Sequence, residues 1–174
     1  QTKRCSEILK KISKSQIEDD KFISKVTMRN LIEEIINSFR EISEKKITLN
    51  TGKDETEITI NRSAEIIFGI RNFFGNAIKF SKKEVSVNLE TTPKKITLKI
   101  SDDGPGFPED ISNLIGQPYL SSNSKNLSKK SGLGLGTFIG KTLLERNKAV
   151  LNFSNQNKGG ALVEIVWNTS DLKA

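Results

Sequence analysis

The sequence predicts an α/β (α+β) fold: a two-layer α/β sandwich with a mixed sheet covered by helices on one face, plus an N-terminal helical segment. Three observations point there. Short stretches at 46–50, 57–61, 84–90, 95–101, 149–154 and 161–167 alternate apolar and polar residues, the period of a half-buried strand. Apolar stripes of helical period lie between them, near 27–42, 63–81 and 137–147. The order is helix, strands, long helix, hairpin, helix and final hairpin. It suits one layer of each kind better than an alternating, doubly wound sheet.

Composition bounds the function. The chain has 174 residues, enough for one good core, with 34% hydrophobic and 28% charged residues. The formal charge of +7 is spread along the chain among acids, and aromatics are 6%, so no stretch pairs basic with stacking residues and no nucleic acid partner is expected. The charge suits an acidic protein or a polyphosphate. One cysteine excludes an internal disulfide. No apolar run approaches the ~20 residues that span a bilayer. The start at Gln1 reads as an excised fragment, with membrane segments upstream left open. There is no histidine, which excludes Ser-His-Asp and Cys-His catalysis, His-ligated zinc and a phosphohistidine within these residues.

Residues 2–14 carry Cys5, Ile8, Leu9 and Ile12 on one narrow helical face, as at a helix-to-helix seam. Cys5 is open to two readings, a small buried apolar residue or a reactive thiol beside Arg4. The polar stretch around Asp19 and Asp20 reads as a linker, so the divisions fall at 1–20, 21–25 and 26–174. Thr27 caps the next helix, whose wide face is Met28, Leu31, Ile32, Ile35, Ile36, Phe39 and Ile42. Glu44-Lys45-Lys46 ends it. Two strands follow, separated by residues 51–54. Asn61 or Ser63 caps the long helix, which runs to about Ser81. Residues 91–94 join two further strands into a hairpin.

The long helix has two faces. At about 100° per residue, Ile66, Ile67, Ile70, Phe73, Phe74, Ala77 and Ile78 share one broad side. Asn72, Asn76, Lys79 and Phe80 gather opposite. Amides can ligate a hard cation, a lysine can meet phosphate, and an aromatic can lie against a base; a solvated polar face is the other reading. The hairpin then ends in Asp102-Asp103-Gly104-Pro105-Gly106-Phe107. This is either a plain turn or a strand-end carboxylate that accepts from an exocyclic amine while glycines let the backbone pass close. Residues 109–131 have little periodicity and read as a lid or disorder. Gly132, Gly134 and Gly136 open the next helix, where unpaired N–H groups can seat phosphate. The spacing is neither a P-loop nor a dinucleotide fingerprint. The closing hairpin carries Gly159 and Gly160.

Taken together, Asn72-x3-Asn76-Ala77-x-Lys79-Phe80, Asp102-x-Gly104-x-Gly106, Gly132-x-Gly134-x-Gly136 and Gly159-Gly160 resemble the ATP-binding catalytic domain of sensor histidine kinases. That domain belongs to the GHKL superfamily, shared with gyrase, heat-shock chaperone and mismatch-repair ATPases. The resemblance covers about 26–167 and implies ATP and Mg²⁺ as cofactors. It implies Asn76 as metal ligand, Asn72 near the metal or a phosphate, and Lys79 on phosphate. Phe80 would lie by the adenine and Asp102 would accept from its N6. Gly104 and Gly106 would shape the base pocket, and Gly132, Gly134 and Gly136 would hinge the lid and face the phosphates. Lys125, Lys129 and Lys130 are open candidates for the γ-phosphate. Gln117-Pro118-Tyr119 stands where many such kinases have a phenylalanine-containing box.

Hydrolysing members of the superfamily carry a Glu four residues before the metal Asn. Here that residue is Asn72, which cannot take a proton from water, so transfer to a histidine is favoured over an ATPase, while the Cys5 helix and the linker argue against a binding-only module. Arg4-Cys5-Ser6-Glu7-Ile8-Leu9, Ile115–Tyr119 and Lys141–Arg146 resemble the RegB/PrrB/ActS-type redox-responsive kinases, which makes Cys5 a redox candidate. The resemblance places residues 1–20 at the end of a dimerisation helix. It implies a homodimer through that helix, a phosphoacceptor histidine upstream of Gln1, an acidic response-regulator receiver as partner, and a cytoplasmic domain of an inner-membrane sensor.

Overall fold

The computed structural model describes residues 25–52, 56–107 and 135–173. The elements run β1 (Lys25–Thr27), α1 (Met28–Arg40), β2 (Lys46–Thr51), β3 (Thr59–Asn61), α2 (Ala64–Phe80), β4 (Glu84–Thr91), β5 (Lys95–Asp102), α3 (Leu135–Arg146), β6 (Val150–Asn155), β7 (Ala161–Asn168) and α4 (Thr169–Leu172). The main sheet has the order β2-β4-β5-β7-β6. The β2–β4 pair is parallel and the other pairs are antiparallel. It is therefore the mixed sheet expected, with α2 in the crossover that a parallel pair requires.

Register sorts the residues between faces. Ile47 pairs with Val85, Val87 with Ile100, and Leu98 with Ile165. With the period of two, these residues plus Leu89, Ile96, Val163 and Trp167 share one face, and all are buried. They form one core with Met28, Leu31, Ile32, Ile35 and Ile36 of α1 and Ile66, Ile70, Phe73, Phe74 and Ala77 of α2. Asp102 stands opposite Val85, so its carboxylate lies on this same buried face, at the end of β5.

The helix caps are local. The Thr27 hydroxyl accepts from Asn30 N at 3.2 Å, and Ser63 accepts from Ile66 N at 3.4 Å. Ser63, not Asn61, is the cap. Two boundaries differ from the expectation. Lys25–Thr27 is a strand rather than linker and helix start, and it pairs with β3 in a separate two-stranded sheet. Three residues carry too little alternation to show this. The first helix stops at Arg40, where the Glu41 N–H closes on Asn37 O and the Arg40 guanidinium turns to Ile47 O at 2.8 Å. Ile42 therefore lies beyond the helix and is 76% exposed.

Glycine sets the approach of α3 to α2. A Cβ on Gly69 would stand 2.7 Å from Leu144 Cγ, and one on Gly140 would stand 3.1 Å from Phe73 Cε2 and from Gly69 O. The buried residues of α3 are accordingly Gly140, Leu143 and Leu144, while Phe138 and Ile139 are half-buried. Gly69→Val is expected to destabilise the fold by about 1–3 kcal/mol through overpacking. Gly75→Ala, on the same helix with nothing within 4 Å of the added methyl, is expected to stabilise it by about 0.5–1 kcal/mol. Chemical denaturation of the two variants, with opposite signs, checks the packing.

Candidate functional site

The C-terminal half of α2 carries four of the expected residues, and the ends of β5 and α3 come to meet it. Asn72 and Asn76 lie one turn apart on α2. The Asn72 amide donates through Nδ2 to Phe68 O at 2.8 Å, and Asn76 donates through Nδ2 to the Thr137 hydroxyl at 3.0 Å. Both NH₂ ends are thereby committed inside the protein. Neither amide oxygen has a hydrogen-bond partner among the described residues, so both are left as acceptors. Gly136, in the first turn of α3, brings its backbone against Asn72, where a Cβ would stand 3.2 Å from Oδ1. Lys79 and Phe80 end the helix exposed, with the ammonium 5.2 Å from the ring centroid.

Asp102 forms the second wall. It is 7% exposed, and one oxygen, Oδ1, accepts from Gly104 N at 2.8 Å and Ala161 N at 3.3 Å. The other oxygen has no partner among the described residues. Burial pushes this carboxyl above its ordinary value. The two N–H groups oppose that shift, and the charge of Asp103 adds to it. The glycines do what close approach demands. A Cβ on Gly104 would stand 2.4 Å from Phe80 O, joining the end of α2 to the end of β5. Gly106 has φ +83° and faces Asn155. Gly160, at φ +98°, lies so close over the Asp102 carbonyl that a Cβ would stand 1.8 Å from it.

Several residues at the site carry no sequence signal of their own. Asp103 accepts from the backbone N–H of Lys82 at 2.7 Å and of Lys83 at 3.0 Å, tying the turn after α2 to the β5 exit. Slight burial works against it, but the N–H groups of Lys83, Glu84 and Lys82 hold its carboxyl below the ordinary range. The Lys45 ammonium donates to Ser81 O at 2.8 Å and Lys82 O at 2.6 Å, meeting carbonyls at the negative end of α2. Asn155 makes a reciprocal pair with Phe107, accepting from its N–H at 2.7 Å and donating to its carbonyl at 2.8 Å. Gln156 donates to Asp102 O at 2.9 Å. Each contact joins residues far apart in sequence, so local pattern does not reveal it.

Asn72, Asn76, Lys79, Phe80, Asp102, Gly104, Gly106 and Gly136 thus occupy α2, the β5 exit and the first turn of α3. Gly132, Gly134, Cys5, the lid 109–131 and its lysines lie outside the described residues. Among the described residues no three His, Cys, Asp or Glu are grouped to hold a metal. An ion here would need amide oxygens together with the oxygens of its own ligand. That donor set fits Mg²⁺, which keeps several waters and binds through few protein atoms plus phosphate.

Residues 61–170 match the family described as histidine kinase-, DNA gyrase B- and HSP90-like ATPases. The chain is 36% identical over 137 residues to the sensor histidine kinase RegB of Cereibacter sphaeroides, covering 70% of this chain and 30% of RegB. It therefore spans about a third of the length of that relative. The mycobacterial sensor histidine kinase MprB superposes with a TM-score of 0.68 at 21% identity, over 84% of this chain and 97% of that one. Full-length ShkA in complex with AMPPNP superposes with a TM-score of 0.69 at 17% identity, over 87% of this chain and 32% of that one. These likenesses establish the fold as that of histidine kinase catalytic domains.

The raised Asp102 carboxyl has a stability consequence. A carboxyl whose folded value lies above its unfolded value of 3.8 costs nothing below that pH. It weakens the fold as pH rises and the buried charge forms. Asp102→Asn keeps an oxygen for Gly104 and Ala161 and removes that charge. The variant is expected to exceed the native chain in stability at pH 7, with the difference closing toward pH 3.8. Denaturant titrations at the two pH values check this.

Proposed function

This chain belongs to the family of histidine kinase-, DNA gyrase B- and HSP90-like ATPases, and from that membership we propose that it is the ATP-binding catalytic domain of a two-component sensor histidine kinase. The observation that supports the reading is a set of acceptors on α2 and at the β5 exit, two segments that meet where Gly104 lies against Phe80 O. A buried carboxylate stands at the β5 exit and two amides stand on α2, each with an oxygen that has no partner among the described residues. The first suits the exocyclic amine of adenine, which is a donor. The second suits a Mg²⁺ bound to the triphosphate, with Lys79 for phosphate and Phe80 beside the base. Mg²⁺ would supply neutralisation of the phosphate charge.

In the proposed reaction an imidazole nitrogen of a histidine on the protein's dimerisation helix attacks the γ-phosphorus of ATP. A P–N bond forms, the P–O bond to ADP breaks, and ADP leaves with the electron pair. Asn72 makes transfer the better reading than hydrolysis. Its NH₂ is held on Phe68 O, and an amide takes no proton from water. An imidazole needs no such base. This chain's own residues would then bind, orient and neutralise. The same reading assigns a response-regulator receiver as the phosphoryl acceptor of the parent protein, homodimerisation through the upstream helix, and a cytoplasmic position under a membrane-anchored sensor. Among the described residues no helix is long and apolar enough to cross a membrane.

Isothermal calorimetry tests the pocket. Asp102→Ala and Asn76→Asp are each expected to abolish Mg-ATP binding, and unchanged affinity in both would remove the assignment. Transfer has its own test. Mixing the chain with a separate dimerisation-helix fragment bearing histidine is expected to label that fragment from γ-labelled ATP. Steady phosphate release at a rate indifferent to the fragment would instead mark a hydrolase.

A further inference from the structure

We propose that Thr137 is a positioning residue for Asn76: its hydroxyl holds the amide NH₂ so that the amide oxygen faces the metal-nucleotide. The inference rests on the nucleotide-site reading above and deepens it by naming what orients the metal amide. An asparagine side chain ends in a torsion that is broad and nearly two-fold. Left alone, Asn76 would present its oxygen and its NH₂ almost equally, and an NH₂ turned toward a cation is repelled. Something must choose between the two, and among the described residues Thr137 is placed to do so. Asn76 Nδ2 lies 3.0 Å from Thr137 Oγ1, across the α2–α3 interface.

Thr137 stands in the first turn of α3, with no earlier turn of that helix behind it, and its hydroxyl meets α2. The approach that permits this is made by its small neighbours. Gly136 passes Asn72 Oδ1, and Gly140 passes the Asn72 Cβ at a distance where its own Cβ would stand 3.1 Å away. Asn72 needs no such partner from α3, because its NH₂ is taken by Phe68 O within α2. The two amides are therefore oriented by different means. Asn72 is set by its own helix, while Asn76 depends on where α3 lies. Partners that orient a ligating side chain in this way commonly change metal affinity by 10–100-fold when removed.

The test is the Mg²⁺-dependent part of ATP affinity, measured by calorimetry on the chain with Mg²⁺ and with EDTA, with melting temperature recorded alongside. Thr137→Val keeps the shape and removes the acceptor. It is expected to lower the affinity for Mg-ATP by roughly 10-fold while leaving the affinity for metal-free ATP within about twofold. Thr137→Ser is expected to restore the native increment, which a purely packing role for the methyl would not do. Thr137→Ala removes the same acceptor and favours helix; it gives the same fall and carries the question should valine disturb the fold. An unchanged increment in the valine and alanine variants overturns the inference. So does an increased one, which would mean that the hydroxyl donates to the amide oxygen and withholds it. A native chain that binds no ATP at all would refute the nucleotide site itself, a distinct result.

Discussion

A carboxylate held at the buried end of a central strand is the constraint on which the rest of the site depends. Asp102 lies on the core face of β5, opposite Val85, where a charge is unfavourable and an isolated one would be severe. The surroundings answer it with backbone. Gly104 and Ala161 donate to one oxygen. The β6–β7 turn folds over the Asp102 carbonyl through Gly160 and Gln156. These contacts in turn demand glycine at 104 and 160, because a side chain at either would strike a backbone oxygen. The paired glycines of the last hairpin are thus part of the support of a carboxylate that precedes them by more than fifty residues. Among the described residues only one oxygen is satisfied, which leaves the carboxylate an acceptor for an incoming donor, at the expense of stability.

The legible parts of this chain were those written in local pattern. The long helix announced both of its faces, because its apolar and polar residues keep step over seventeen positions and Ser63 caps it. The strand alternation located the main sheet, and the glycine-flanked Asp102 fell at a strand end as expected. The illegible parts are tertiary. A three-residue strand such as Lys25–Thr27 has no period to read. Hydrophobic patterning marks Phe138, Ile139, Thr142, Leu143 and Leu144 as the stripe of α3; the structure buries Leu143 and Leu144, leaves Phe138 and Ile139 half-buried, and buries Gly140 as well, since glycine contributes by letting another helix come close. Asp103, Lys45, Asn155 and Thr137 look like ordinary surface polar residues until partners twenty to sixty positions away are known.

The polar clamps also explain how a site made from several segments keeps its shape. Asp103 and Lys45 hold the turn after α2 from opposite chemical sides, one accepting its N–H groups and the other donating to its carbonyls. With Gly104 in contact with Phe80 O, the end of α2 and the exit of β5 behave as one unit. Asn155 does the same for the backbone at Phe107, whose ring stands edge-on to Phe153, itself against Phe73 of α2. Aromatic packing under the site and hydrogen bonds around its rim therefore fix the same segments twice. That redundancy suits a surface that must present a carboxylate and two amides in a fixed relation.

The two amides show how a small change of residue type directs chemistry. Each has its donor end turned inward and, among the described residues, its acceptor end left over, so this face of α2 offers oxygen without negative charge. Neutral oxygens suit a cation that arrives already coordinated by a polyphosphate, because they add ligation without repelling the phosphates. A glutamate at 72 would add a charge and a base. The base could activate water, but the charge would face the phosphates and would lose the NH₂ that now bonds to Phe68 O. Keeping asparagine there gives up activation of water and keeps a neutral, pre-oriented surface. On the proposed reading, such a surface serves a nucleophile that comes from elsewhere and needs no activation by this domain. In a chain without histidine, a nucleophilic imidazole has to come from beyond these residues.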